Sequence, residues 1–211
     1  MRVDVVGFAS PRHGGPTVAV CALGGAVAVA VDGVTVTVPA LRAVGGTVLG
    51  LSQLLPVVVA ILVVARAGPV VGTLEATAAR TCRVERSLFL GGCLGAFVLS
   101  AAAVTLATAA EWDALVVAAR AMVALLGAGL VCGALLGASR AFIGVLVAAV
   151  VVPMLGRSNG SVAWWSWPLR PPSDVGAWTA AATVLVVGAA AFVAGGGRNW
   201  WLCGLDDQGE N

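Results

Sequence analysis

Long apolar runs separated by short polar interruptions constrain this chain most. Ser87–Ala110 contains no charged residue, and Ala114–Leu136, which follows the acidic turn Glu111–Asp113, contains one. A helix needs about 20 apolar residues to cross the hydrocarbon core of a bilayer, and runs of this length meet that need. Apolar residues make up 60% of the chain and charged residues 10%, whereas a soluble chain of 211 residues needs more polar surface. The pattern predicts an all-α, polytopic integral membrane protein.

Six apolar runs predict six transmembrane helices in one domain that covers residues 17–198. The predicted helices are 17–31, 45–65, 87–110, 114–136, 141–155 and 177–194. The first run is short, and Ala28-Val29-Ala30 at its end also fits the cleavage site of a signal peptide. The alternating run Val34–Val38 has no evident strand partner, so we expect an extended loop there. Residues 1–16 and 199–211 are predicted to be a cytoplasmic leader and a cytoplasmic tail.

The arginine distribution predicts the orientation of these spans. Six spans place both termini on one side, and the side with more arginine faces the cytoplasm. Eight arginines share the side of the termini: Arg2, Arg12, Arg66, Arg80, Arg83, Arg86, Arg140 and Arg198. Three lie on the other side: Arg42, Arg157 and Arg170. The composition, rich in Ala, Val, Gly and Arg and without Lys or Tyr, is typical of a GC-rich genome. We therefore expect a multi-pass protein of a bacterial plasma membrane.

Several function classes are disfavoured by what the chain lacks. Without lysine, no G-x-x-x-x-G-K-[ST] phosphate loop can exist. Gly156-Arg157-Ser158-Asn159-Gly160 matches the G-x-S-x-G nucleophile elbow, but it follows a predicted membrane helix, and the single histidine, His13, is predicted on the opposite side. The net charge of +2 is too small and dispersed to favour nucleic acid. We therefore expect no catalytic residues in this chain.

The cysteines and acidic residues give no sign of a metal or redox site. The five cysteines show no metal-ligand spacing, and those inside apolar runs are expected to act as small hydrophobic residues. No Asp or Glu falls inside a predicted span, which argues against an intramembrane aspartyl protease or a carboxylate proton relay. We expect no disulfide, no metal and no cofactor in this chain.

Ala67–Arg86 is a polar interruption between the second and third predicted spans. Thr73 can cap a helix that carries Glu75 in its first turn, where a carboxylate suits the positive end of the helix dipole. Arg80 and Arg83 fall on a different face from a set of less polar residues spaced by three and four: Val71, Leu74, Ala78 and Cys82. The pattern predicts a short amphipathic helix at the membrane surface.

Two polar side chains inside predicted spans are candidates for a translocation path. They are Gln53 and Arg120. Arg120 lies six residues into the fourth span, roughly 9 Å deep at about 1.5 Å per residue. One interpretation is that it snorkels to the outer headgroups, towards Asp113. The other is that it lines a translocation path, because charges inside spans often mark transport routes.

Small residues spaced by four predict close helix packing. Gly129, Gly133 and Gly137 form one such series, and Gly91 and Gly95 form another. Small faces of this kind let helix backbones approach closely in lipid.

Taken in order along the chain, these features resemble the ABC-2-type transporter permeases, and in particular the small actinobacterial ABC permeases that are encoded beside a separate ATPase. The pieces that carry the resemblance are Val38–Leu41, the loop from Glu75 to Arg86, Gly137–Arg140, Pro153, and the Trp-rich stretch from Ala163 to Trp178. The resemblance covers about residues 17–198.

The resemblance implies a permease subunit of an ABC exporter for a hydrophobic or amphipathic substrate. It implies a coupling helix at about 72–86 and outer re-entrant segments at about 157–174, within the outer segment 156–176. The residues expected to dock on the ATPase are Thr73, Glu75, Arg80, Arg83, Arg86 and Arg140. The expected partners are an ATPase subunit that binds ATP and Mg²⁺, a second permease subunit, identical or different, and membrane lipids. The alternative is a non-transporting membrane scaffold or assembly factor.

Overall fold

The computed structural model describes residues 15–38, 47–67, 79–158, 161–163 and 165–195. These residues form six helices and two short hairpins. The helices are α1 Gly15–Ala30, α2 Leu51–Arg66, α3 Ala79–Thr108, α4 Trp112–Leu136, α5 Ala141–Leu155 and α6 Val175–Gly195. The strands are β1 Thr35–Val38, β2 Thr47–Gly50, β3 Arg157–Ser158 and β4 Ser161–Val162.

Helix α4 is the centre of the bundle. It contacts each of the other five helices. In the apolar 18-residue stretch of α4, 67% of the residues are buried, whereas only 22–28% are buried in the corresponding stretches of α3, α5 and α6. Its sequence explains this position, because apolar residues cover all its faces and many are Ala or Gly, which let neighbouring helices approach closely.

Four helical segments of the described chain are long and apolar enough to cross a membrane. They are Ser87–Thr108, Trp112–Leu136, Ala138–Leu155 and Val175–Val193. Helices α1 and α2 are apolar but have 16 residues each. At about 1.5 Å per residue each is roughly 24 Å long, less than the hydrocarbon thickness of about 30 Å. The fold is therefore a helical bundle with four helices long and apolar enough to span a membrane, and two shorter apolar helices pack against α4.

The bundle has two distinct ends. Short connections, Ala109–Glu111 and Gly137–Arg140, turn α3 back into α4 and α4 back into α5. The Ser52 hydroxyl donates to Asp32 Oδ1 at 3.4 Å and joins the end of α1 to the start of α2. The hairpin end of the bundle carries the β1–β2 hairpin and residues 156–174. The opposite end, which we call the arginine end, carries the end of α2, the turn Ala138–Arg140 and the start of α3. Helix α2 contacts that turn.

The connection between α1 and α2 contains a hairpin. Strand β1 pairs antiparallel with β2, and Val36 lies opposite Leu49. The prediction of an extended loop is therefore wrong, as is the start of the second helix at residue 45. The partner of the alternating run is β2, which lies within the predicted helix 45–65. Pairing satisfies backbone N–H and C=O groups that a single strand leaves without partners. Helix α2 begins at Leu51.

The start of α3 also differs from the prediction. Helix α3 begins at Ala79 and continues without a break into the apolar segment Ser87–Thr108. Arg80, Arg83 and Arg86 therefore belong to the helix of the third span, and the prediction of a separate surface helix is wrong for residues 79–86. Thr73 and Glu75 lie outside the described residues.

Candidate functional site

Arg120 is the most unusual side chain in the described part of the bundle. It lies in the third turn of α4 and is fully buried. Its Nη1 donates to the carbonyl oxygen of Pro171 at 2.9 Å, and its Nη2 donates to the carbonyl oxygen of Arg170 at 2.6 Å. The guanidinium is therefore covered by the loop that precedes α6, and its hydrogen bonds go to that loop and not to Asp113, the partner that the snorkelling interpretation suggested.

The loop over Arg120 is closed by a second arginine. Nη1 of Arg170 and Oδ2 of Asp174 form an ion pair at 2.7 Å, with 30% and 18% of the two side chains exposed. The other carboxylate oxygen of Asp174 accepts from the backbone N–H of Ala177 at 3.2 Å. An Asp that accepts from the third residue on caps a helix N-terminus. The loop is thus tied to α4 through Arg120 and to α6 through Asp174.

The charges of this loop shift the titration of Asp174. The hydrogen bond from the Arg170 guanidinium, followed by that from the Ala177 N–H, holds the pKa of Asp174 below its ordinary value. Both donors favour the ionised carboxylate, as does the positive end of α6. Asp174 therefore stays charged and keeps the loop closed under mildly acidic conditions.

The pH dependence of thermal stability tests this arrangement. Because folding lowers the pKa of Asp174, its charge stabilises the fold above the unfolded pKa of about 3.9, and this contribution is lost as the pH falls through the folded pKa. We expect Asp174→Asn, which keeps an oxygen for the cap, to lower Tm at neutral pH. The difference from wild type should shrink below about pH 4. A difference that stays constant across that range would show that the ion pair contributes nothing.

Buried polar atoms cluster beneath the same loop. Ser166 is fully buried, and within the described chain its hydroxyl and the indole N–H of Trp167 have no hydrogen-bond partner, nor does Nε of Arg120. Ser166 lies against Gly156, where an added Cβ would overlap its hydroxyl oxygen. Unsatisfied groups of this kind are costly in a fold. These buried polar atoms therefore lie together at the hairpin end of the bundle.

Gln53 lies near this region but not beside the Arg120 guanidinium. It lines a cavity of about 30 Å³ between α2, α4 and α5, together with Ala121, Val152 and Trp167. A space of this size holds one or two water molecules. The structure thus places the two predicted path residues at the same end of the bundle.

Of the glycines predicted to lie at helix contacts, some pack against other helices and others face open space. An added Cβ at Gly129 would lie 2.8 Å from Val64 and Val145, and one at Gly133 would lie 2.9 Å from Ala141. Gly137 terminates α4 with a φ of 93°, which favours glycine. Gly91 and Gly95 face open space, with nothing described within 4 Å of an added Cβ.

Sequence spacing missed a close crossing of α4 with α6. An added Cβ at Gly127 would lie 2.6 Å from the backbone nitrogen of Leu185, and one at Gly188 would lie 2.6 Å from the carbonyl oxygen of Gly127. The two glycines belong to different helices, so no motif within one helix connects them.

The remaining predicted residues are placed as follows. Arg140 is exposed at the arginine end, where it closes the turn after α4. Ser158 of the G-x-S-x-G match lies in β3, which pairs with β4 rather than leading into a helix. Strand–turn–strand geometry differs from the strand–turn–helix of a nucleophile elbow. No sequence signal indicates the Arg120 contacts, whereas Asp174 before an apolar run fits the ordinary signal of a helix cap.

Comparison of the chain with protein-family models, with curated proteins and with solved structures gives no match. A proposal about function therefore rests on the geometry of the bundle and on the sequence resemblance.

Proposed function

We propose that this chain is the membrane-spanning permease subunit of an ABC exporter in a bacterial plasma membrane, with a hydrophobic or amphipathic substrate. A separate ATPase subunit would bind ATP and Mg²⁺, and a second permease subunit, identical or different, would complete the membrane part. The observation that carries the proposal is the continuity of α3, in which the segment Ala79–Arg86 extends the third span beyond its apolar part.

A continuous helix is a suitable element for transmitting a push from outside the bilayer. Arg80, Arg83 and Arg86 occupy the first turns of α3 at the arginine end, which is the cytoplasmic end in this proposal. Helix α3 contacts α1 and α4. A partner that binds the first turns of α3 and moves would therefore displace this helix relative to α1 and α4.

Transport in this proposal requires the hairpin end to open. Arg120 is bound to loop carbonyls, and the cavity beside Gln53 holds only one or two water molecules. A substrate path through the centre would need α4 to separate from the loop before α6. The closed centre also supports a second candidate function, a non-transporting scaffold or assembly factor, because a scaffold needs no such opening.

Co-purification followed by conservative substitution separates these candidates. We expect an ATPase subunit to co-purify with the wild-type chain, and we expect Glu75→Ala or Arg80→Lys to lower ATPase activity coupled to transport while membrane insertion is unchanged. Lysine keeps the charge but not the planar fork of arginine, so a docked surface loses contacts that mere attraction to anionic lipid does not need.

The matched control is Arg157→Lys at the hairpin end, which should leave ATPase activity unchanged. Full coupling in both variants, or a wild-type preparation without any ATPase, would favour the scaffold.

A further inference from the structure

Helices α1 and α3 form a closely packed parallel pair. They run in the same direction because α2 returns the chain between them. Both helices contribute buried residues at matching intervals of four: Cys21, Gly25 and Val29 on α1, and Cys93, Phe97 and Ala101 on α3. The matching intervals indicate three successive layers, with one residue of each helix in each layer.

The middle layer brings the two backbones together. An added Cβ at Gly25 would overlap the carbonyl oxygen of Phe97 and would lie 2.9 Å from the carbonyl carbon of that residue. Backbone contact at this layer limits the separation of the helices one turn away, where the two cysteines lie. Short Cα–Cα separations, about 4.4–6.8 Å, are what a disulfide requires.

The first layer places two thiols in contact. Cys21 and Cys93 are both fully buried in one cluster of the core, and their side chains lie within interaction distance of each other. Both are free cysteines in this structure, as is Cys132. Two thiols in contact inside a core differ chemically from a lone buried cysteine, because each can capture an oxidised form of the other.

We propose that Cys21 and Cys93 are a redox-active dithiol that a small membrane-permeant two-electron oxidant converts into a disulfide between α1 and α3. With molecular iodine, one sulfur forms an S–I bond and releases iodide and a proton. The second thiol displaces the iodide and loses its own proton, and the S–S bond forms. Two thiols thus lose two electrons and two protons, and one iodine molecule becomes two iodide ions. Thiol reductants reverse the change by exchange.

The disulfide would fix α3 to α1. The closed loop contains more than 70 residues, a size for which a cross-link restricts the unfolded chain strongly. The sequence alone predicted no disulfide, because the number of cysteines is odd and Cys21 and Cys93 lie inside apolar runs, where cysteine acts as a small hydrophobic residue. The contact emerges only when the bundle places the two helices side by side.

Peptide mapping tests the proposal directly. Cleavage after arginine puts each of the five cysteines on a different peptide, with Cys21 on residues 13–42 and Cys93 on residues 87–120. The full chain in detergent is treated with iodine, free thiols are alkylated in denaturant, and the digest is analysed by mass spectrometry. We expect the 13–42 and 87–120 peptides to be linked, two alkylatable thiols to be lost, and dithiothreitol to restore both.

A double variant supplies the matched control. Cys93→Ala with Gly92→Cys moves the α3 thiol by one position to a site with nothing described within 4 Å of an added Cβ. This variant should give no internal link. Linkage that is equal in the variant and in wild type would overturn the proposal. The proposal would also be overturned if iodine oxidised Cys132 in the wild-type chain while Cys21 and Cys93 could still be alkylated.

Discussion

Replacing Arg120 by alanine is expected to lower the free energy of unfolding by about 3 kcal/mol, since hydrogen bonds from charged groups contribute about 1.5–3 kcal/mol each. The change removes both donors to the loop carbonyls of Arg170 and Pro171 and leaves space where a fully buried side chain had been. Reversible unfolding in mixed micelles, followed by circular dichroism, measures the difference.

Two variants sharpen this test. Arg120→Lys keeps the charge but lacks the fork that spans two carbonyls, so it should fall between wild type and alanine. Arg140→Ala removes an exposed arginine at the other end of the bundle and should change stability by less than about 0.5 kcal/mol. Equal stability of Arg120→Ala and Arg140→Ala would mean that the buried guanidinium does not hold the loop.

Gly127→Leu should strongly damage the crossing of α4 and α6. Its Cβ would lie 2.6–2.8 Å from backbone atoms of Val184 and Leu185, which cannot rotate away as a side chain can. Helices α4 and α6 would have to separate, and overpacking of this kind costs about 3 kcal/mol or prevents assembly. Size-exclusion chromatography and thermal unfolding in detergent should show aggregation or a large loss of Tm.

Gly91→Leu is the matched control for that substitution. It adds the same side chain to a long membrane helix, but nothing described lies within 4 Å of an added Cβ at this site. The variant should fold and unfold like wild type. A Gly127→Leu protein as stable as Gly91→Leu would show that α4 and α6 do not cross at Gly127.

The sequence predicted the helices better than it predicted their contacts. The bounds of α5 match the prediction, and α4 and α6 begin two residues earlier than predicted, because long apolar runs with polar breaks leave little freedom. The β1–β2 hairpin was missed because the partner strand is itself apolar and merges with the following helix. Local periodicity does not show that a strand ends and a helix begins within one apolar run.

The sequence identified Arg120 as a candidate site residue but did not predict its contacts. Arg120 stands out in the sequence as a charge within a span, but its partners are carbonyl oxygens 50 and 51 residues later. Every residue has a carbonyl oxygen, so no sequence pattern identifies which ones accept from a given arginine. The Cys21–Cys93 contact is hidden for the same reason, since it depends on how two separate helices are arranged.

The distance in sequence between Arg120 and its acceptors also bears on biosynthesis. When Arg120 is added to the growing chain, the loop that will bind its guanidinium has not yet been made. At about 5–20 residues per second, the missing 50 residues take roughly 3–10 s to synthesise. During that interval the charge must stay at the bilayer surface or in the insertion machinery. Final seating of α4 therefore waits for α6, and the centre of the bundle is completed last.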